Sequence, residues 1–342
     1  MANILLYKIV IVVWSIVLTP CWTGNEDSLI DGLVAYLPFD EGEGNIAYDL
    51  AFNNHATITG AQWNSGHICS ALSFDGIDDY ASIPSSKDLD IRGSVTLCSW
   101  VKNNGDDYGQ IVWRGDTQSA HDPYTLHLLE GKMQFRVDLG NGTETYTVDS
   151  LEDVDNRWHF WTGIYSKEEA IIYLYKDGIL ENTTSVFHEI EYDTSTMWNM
   201  IGAVDYGNWQ HFNGTIDEIA IYRRVLSKDE ILQIYEYGFS NFDIAILRIK
   251  KAIVQKLVVL EDLDAALEQE YKAYQALEDL LQNRNNGTLR QEDIKKAKQE
   301  IYSAIQYQEH CKDEINKSIN KLRNALIILG CNFPSTQPKT NY

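Results

Sequence analysis

Two stretches decide how this chain folds: Ser73-Phe74-Asp75-Gly76-Ile77-Asp78-Asp79-Tyr80 and Gly214-Thr215-Ile216-Asp217-Glu218-Ile219-Ala220-Ile221-Tyr222. Both alternate their side chains in the manner of a strand with one face buried. The region around and between them repeats short runs of Val, Ile, Tyr, Phe and Trp. Turn residues separate these runs, as at Asn103–Asp107 and Gly140–Gly142. Frequent short strands with no helical period between them predict an antiparallel sandwich. Ser227–Glu230 (SKDE) is a capping box that opens a short helix, and Gly238 can close it.

The pattern changes at Asn241. Ile246, Ile253, Leu260, Leu267, Tyr274 and Leu281 recur at seven-residue spacing, with Ile249, Leu257, Leu263, Tyr271 and Leu277 as a companion stripe. This is a long helix with one apolar seam. Asn285–Gly287 (NNG) breaks it, and a second capping box at Thr288–Gln291 starts another helix. Ile294, Ile301, Ile305, Ile315, Ile319, Leu322, Leu326 and Leu329 share one face of that helix. A break this short predicts an antiparallel hairpin over 241–329, followed by a loose tail over 330–342. Two helices that bury one seam need further cover, either from the chain's own sandwich or from a second copy of the chain. The latter makes a homo-oligomer through 241–329 the expectation, with Val258, Leu280 and Ile327 at the rim of the seam.

The net charge of -22 is unevenly spread. Residues 25–240 hold 36 acidic and 12 basic side chains, whereas 241–329 hold 14 of each. An acidic sandwich repels nucleic acid and favours cations. Residues 1–23 read as an export signal, with Lys8 before the apolar run Ile9–Leu18, so a secreted or cell-surface protein is expected. An uncleaved membrane anchor is the alternative. Of the five cysteines, Cys69 and Cys98 lie in strand patterns, either as a disulfide or as two buried thiols. Cys311 and Cys331 cannot pair along one helix, where twenty residues span about 30 Å.

Several motifs in order carry a resemblance: Leu33–Gly42 (LVAYLPFDEG), Thr96–Lys102 (TLCSWVK), Arg157–Trp161 (RWHFW), Tyr173–Gly178 (YLYKDG) and the two opening stretches. Over 32–238 the chain resembles the laminin-G-like jelly roll of the concanavalin A-like lectin and glucanase group. The resemblance implies an all-β antiparallel jelly-roll sandwich, here followed by the α-helical hairpin. It also implies either of two functions, glycan binding or glycoside hydrolysis.

Hydrolysis needs carboxylates alternating along one strand so that they enter one cleft. The nearest string, Glu189–Thr194 (EIEYDT), lacks the final carboxylate of that motif. A non-catalytic protein that recognises a glycan or glycoprotein is therefore expected, and a structural surface protein is the second reading.

The resemblance also implies calcium. In many jelly rolls of the group a structural ion joins the first strand to the last, and the matching residues are Asp40, Glu41 and Asp217. The other reading of Asp217 is a turn cap. A distant likeness to pentraxins, which bind ligand through rim calcium, puts Asp122, Asp205 and Gln210 at a second ion site. The loop here is shorter than theirs and lacks the adjacent carboxylates. Trp100, Trp158 and Trp161 fit the core, whereas Trp198, Tyr206 and Trp209 are expected in loops beside Asp205. There an exposed indole either stacks on a sugar ring or lids the sandwich edge.

Overall fold

The computed structural model describes residues 29–115, 121–191, 194, 196–204, 207, 209–282 and 291–328. The export-signal expectation, the Asn285–Gly287 break and the tail lie outside these residues. Among the described residues, no helix is long and apolar enough to cross a membrane.

Among the described residues, sixteen strands precede the α-helices. They are β1 (Leu33–Leu37), β2 (Ile46–Ala47), β3 (Ala56–Thr59), β4 (Gln62–Ser65), β5 (Ser70–Asp75) and β6 (Tyr80–Ile83). Next come β7 (Val95–Asn103), β8 (Gly109–Gly115), β9 (Tyr124–Leu129), β10 (Lys132–Leu139) and β11 (Glu144–Asp149). The last are β12 (Trp158–Ser166), β13 (Ile171–Lys176), β14 (Ile179–Ser185), β15 (Trp198–Ile201) and β16 (Asn213–Tyr222).

They form two antiparallel sheets, ordered β14-β13-β12-β7-β16-β5-β4 with β1 beside β16, and β11-β10-β9-β8-β15-β6-β3-β2. Two sheets of this kind bury their inner faces against each other, as the alternation predicted. Phe74, Phe135, Trp161, Phe212 and Ile219 are among the inner residues. Gly163 on β12 lets the sheets approach, because a Cβ there would lie 2.2 Å from the Phe135 ring. Trp100 and Trp161 are buried as expected, whereas Trp158 is only half-buried.

The decisive C-terminal stretch is β16, which lies between β5 and β7 along its first half. Further on, β1 takes the β5 side, pairing Leu37 with Ile219 and Leu33 with Tyr222. A bulge interrupts the β16–β7 ladder between Asp217 and Ala220, and Glu218 there has φ 55°. The other decisive stretch finishes β5, turns at Gly76 (φ 77°) and starts β6.

Ser227 caps α1 (Lys228–Tyr237) through the expected reciprocal box with Glu230, and Gly238 ends it with φ 62°. Two long helices follow, α2 (Asn241–Gln282) and α3 (Gln291–Ile328). The chain divides into two compact units, and the boundary falls inside α2, between Leu247 and Arg248, rather than at Asn241.

Within the helical unit α2 and α3 run antiparallel. Glu270 accepts from Gln308 at 2.8 Å, Tyr271 donates to Glu309 at 2.8 Å, and Lys312 pairs with Asp264. Ile253, Leu267, Ile305 and Ile319 of the seam are buried, while Val258, Val259, Tyr302 and Tyr307 remain exposed. The side chains of Leu280 and Ile327 lie outside the described residues.

Candidate functional site

The β16 bulge builds the first candidate. In a regular strand Asp217 and Glu218 would point to opposite faces; the bulge breaks that alternation, and both now feel Asp40. Asp217 is fully buried (0% exposed). Its Oδ2 accepts from the Ile68 amide at 3.0 Å, whereas its Oδ1 has no partner.

The turn that opens β5 closes over this carboxylate. A Cβ at Gly66 would lie 2.5 Å from the Ser70 carbonyl oxygen, 2.6 Å from that of Ile68 and 2.7 Å from Asp217 Oδ2. Only glycine allows so tight a closure. Asp40 Oδ1 accepts from the Ser70 amide at 3.4 Å, and Glu218 Oε2 accepts from the Tyr36 hydroxyl at 2.6 Å. Glu41 Oε1 accepts from the Tyr48 amide at 2.8 Å, leaving a buried Oε2 without a partner.

Burial is the main reason that Asp217 is pushed up to about 7 and Glu218 to about 8, and Asp40 raises both further. A buried, unpaired carboxylate oxygen beside other carboxylates and backbone carbonyls suits a hard cation with oxygen ligands. Asp217 and Asp40 would hold it, with carbonyl oxygens completing the shell. Strict alternation hid Tyr36, Gly66 and Glu218 from sequence reasoning; a bulge within GTIDE was the signal available.

The second ion site does not assemble from the residues expected for it. Asp122 Oδ1 accepts from Trp113 Nε1 at 2.7 Å, and its Oδ2 lies 3.3 Å from Arg136. Burial holds this carboxyl up, at about 6. Asp122 lies where β8 ends, whereas Gln210 lies where it begins, its carbonyl accepting from the Gln110 amide at 2.9 Å. The two are therefore at opposite ends of a strand. Asp205 lies outside the described residues, as does Tyr206.

Trp198 also departs from expectation. It opens β15 opposite Gly115, because the alternating run Trp198–Ile201 pairs with both β8 and β6. That places it at the Asp122 end, away from Trp209.

Trp209 belongs to the β15–β16 connection at the other end of the sandwich and is 67% exposed. Its carbonyl accepts from the Val204 amide at 3.0 Å, and the indole faces solvent. The neighbouring loops meet it there. Gly207 is pressed against the Tyr80 ring, and Asn213 is bonded to Asn104 at 3.0 Å. Tyr108 (55% exposed) leads into β8 at the same end.

Asp75, Asp78 and Asp79 also gather at this end, their carboxylate oxygens within 4.8 Å of one another. Asp79 Oδ2 accepts from the Asp75 amide and Asp75 Oδ1 from the Ile77 amide, so turn closure explains the residue types.

Cys69 and Cys98 are free thiols, correcting the disulfide reading. Cys98 is on β7, and Cys69 immediately precedes β5. Since β16 separates these strands, their spacing of roughly 9–10 Å exceeds disulfide reach. Cys69 is also exposed, so the paired-burial alternative fails for it. The Asp40 charge raises the Cys69 thiol, while burial pushes the Cys98 thiol up to about 12.

Residues 75–232 match the Laminin_G_3 family model, described as the concanavalin A-like lectin/glucanases superfamily. Over those residues the sandwich is similar to that superfamily's laminin-G-type domain. No curated protein matches the sequence. Similar solved structures include the binding domain of Paraclostridial Mosquitocidal Protein 1, at 15% identity and TM-score 0.49, covering 61% of this chain and 52% of that one.

Another is the binding domain of botulinum neurotoxin DC in complex with rat synaptotagmin II, at 14% identity, TM-score 0.49 and coverage of 62% and 53%. The same domain in complex with SialylT gives 14% identity, TM-score 0.47 and coverage of 62% and 53%. The chain spans about half the length of these structures. Likeness this distant says nothing of this chain's ligand.

Proposed function

We propose that this chain is a non-catalytic binding protein that recognises a glycan or glycoprotein. Binding takes place at the loop end of the laminin-G-like sandwich that carries Trp209. The observation that carries this reading is the indole itself: a large aromatic ring exposed to solvent, with its backbone carbonyl bonded to the Val204 amide. An apolar face beside hydrogen-bonding groups is what a sugar ring requires, with its C–H face on the indole and its hydroxyls on Asn, Gln and Asp side chains. Gln210, Tyr108 and Asn213 share that end. Catalysis lacks a comparable basis. Among the described residues of the string that starts at Glu189, Ile190 makes an isolated bridge to Gly140.

Calcium is proposed at Asp217 and Asp40, where it would brace β1, the Gly66–Ser70 turn and β16 rather than touch the ligand. The helices are proposed to self-associate through the seam that leaves Val258 and Val259 exposed. Multiplying a weak sugar site in this way raises avidity. Export to the cell exterior, where glycans are displayed, fits the N-terminal sequence. Glycan-array binding of the full chain, with and without chelator, tests this reading; a structural surface protein would bind no glycan.

A further inference from the structure

Five Asn-x-Ser/Thr triplets occur, at Asn141, Asn182, Asn213, Asn286 and Asn316. Such triplets accept N-linked oligosaccharide in compartments that carry the transferase, and usable ones lie on exposed turns. Asn286 lies outside the described residues, and the other four differ sharply in their surroundings.

Asn182 is on β14, and its Nδ2 donates to the Asp149 carbonyl at 3.0 Å. Its partner Thr184 donates its hydroxyl to the Thr147 carbonyl at 2.8 Å, so both ends of that triplet stitch β14 to β11. Asn213 begins β16. Its carboxamide oxygen accepts from Asn104 at 3.0 Å, and Thr215 is buried. An oligosaccharide on Asn182 Nδ2 would break a bond that joins two elements, and at Asn213 the triplet's hydroxyl, on Thr215, is buried in the sheet.

Asn316 is exposed, but it lies in mid-helix on α3. Residues i and i+2 of a helix do not face each other, so the Ser318 hydroxyl points away from the Asn316 carboxamide.

Asn141 has none of these obstacles. It sits at the tip of the β10–β11 hairpin between Gly140 (φ 61°) and Gly142 (φ 94°). Both it and Thr143 are exposed. The Thr143 hydroxyl donates to Asn141 Oδ1 at 2.6 Å, and no described residue accepts from Nδ2. The local turn thus joins hydroxyl and carboxamide while leaving the amide nitrogen outward.

We infer that Asn141 is an N-glycosylation site of this protein, and that Asn182, Asn213 and Asn316 stay unmodified. Asn141 Nδ2 attacks the anomeric carbon of a lipid-linked pyrophosphate oligosaccharide. The carbon–oxygen bond breaks, the lipid pyrophosphate leaves with the electron pair, and the transferase takes an amide proton.

The inference rests on the export reading above. It is also compatible with the proposed ligand end. β8 runs from the Trp209 end to the Asp122 end, β9 returns, and β10 goes out again to Asn141. Consistent with this, a Cβ at Gly142 would meet the His121 ring at 2.4 Å. The glycan would therefore project from the end opposite Trp209 and leave the binding loops clear.

The test is cell-free translation of the full chain in an N286Q background, with microsomes, followed by protease protection and a glycosidase. The expected result is a protected chain with a single glycosidase-sensitive mobility shift. N141Q and T143A remove that shift, whereas N182Q, N213Q and N316Q keep it. A protected chain with no shift, or with a shift that survives N141Q, overturns the inference while leaving export intact. An unprotected chain overturns the export reading and this inference with it.

Discussion

The Tyr36 hydroxyl donates to Glu218 Oε2 at 2.6 Å, joining the first strand of the sandwich to the bulge of the last across 182 residues of sequence. The acceptor is a buried carboxylate in a left-handed backbone position, so its partner matters more than the bond's own strength. Tyr36→Phe keeps the ring and removes the donor. It should destabilise the sandwich by about 1–3 kcal/mol in urea unfolding. An unchanged midpoint would mean that Glu218 does not depend on this bond.

Asp217 and Glu218 give a pH dependence whose sign follows from their raised values of about 7 and about 8. The folded chain keeps these protons at pH values where the unfolded chain has released them. In chelator, stability should therefore be greatest near the ordinary carboxylate range and fall as pH rises through 7 to 8. Calcium needs the ionised carboxylates, so its stabilising effect should grow over the same interval. Melting temperatures between pH 5 and pH 8, in excess calcium and in excess chelator, test this. Asp217→Asn should make the two series coincide, and wild-type curves that already coincide at pH 8 would remove calcium from the account.

Gly163 shows how closely the two sheets are packed. Gly163→Ala would place a methyl group 2.2 Å from the Phe135 ring, and both residues lie on ordered central strands. Overpacking of this kind should cost about 1–3 kcal/mol without changing the fold. Retained far-ultraviolet dichroism with a lowered unfolding midpoint is the expected pair of results.

Much of this was legible because alternation and turn residues are local signals. Strands β7, β12, β13 and β16, the capping box at Ser227 and the seam through Ile253 and Leu267 are where the sequence pattern put them. The functional details depended on breaks in those periods. The bulge at Glu218 reverses a side chain, the Gly66 turn closes over Asp217, and β15 captures Trp198 that a loop reading had left free. Which residues share an end of a sandwich depends on strand direction, and that is why Asp122 and Gln210 are far apart. The disulfide expectation failed for the same reason, since only sheet order shows that β16 intervenes.

The helices leave Val258, Val259, Tyr302 and Tyr307 exposed. Light scattering of the full chain should give a dimer or larger species, and residues 25–247 alone should give a monomer. A monomeric full chain at all concentrations would rule out self-association.

Trp209→Ala on a glycan array most directly tests the central claim that the Trp209 end binds sugar. The account predicts that the wild-type chain binds a defined set of glycans and that the variant loses roughly tenfold or more in affinity, about 1–2 kcal/mol, at an unchanged melting temperature. Full retention of that binding by the variant would contradict it.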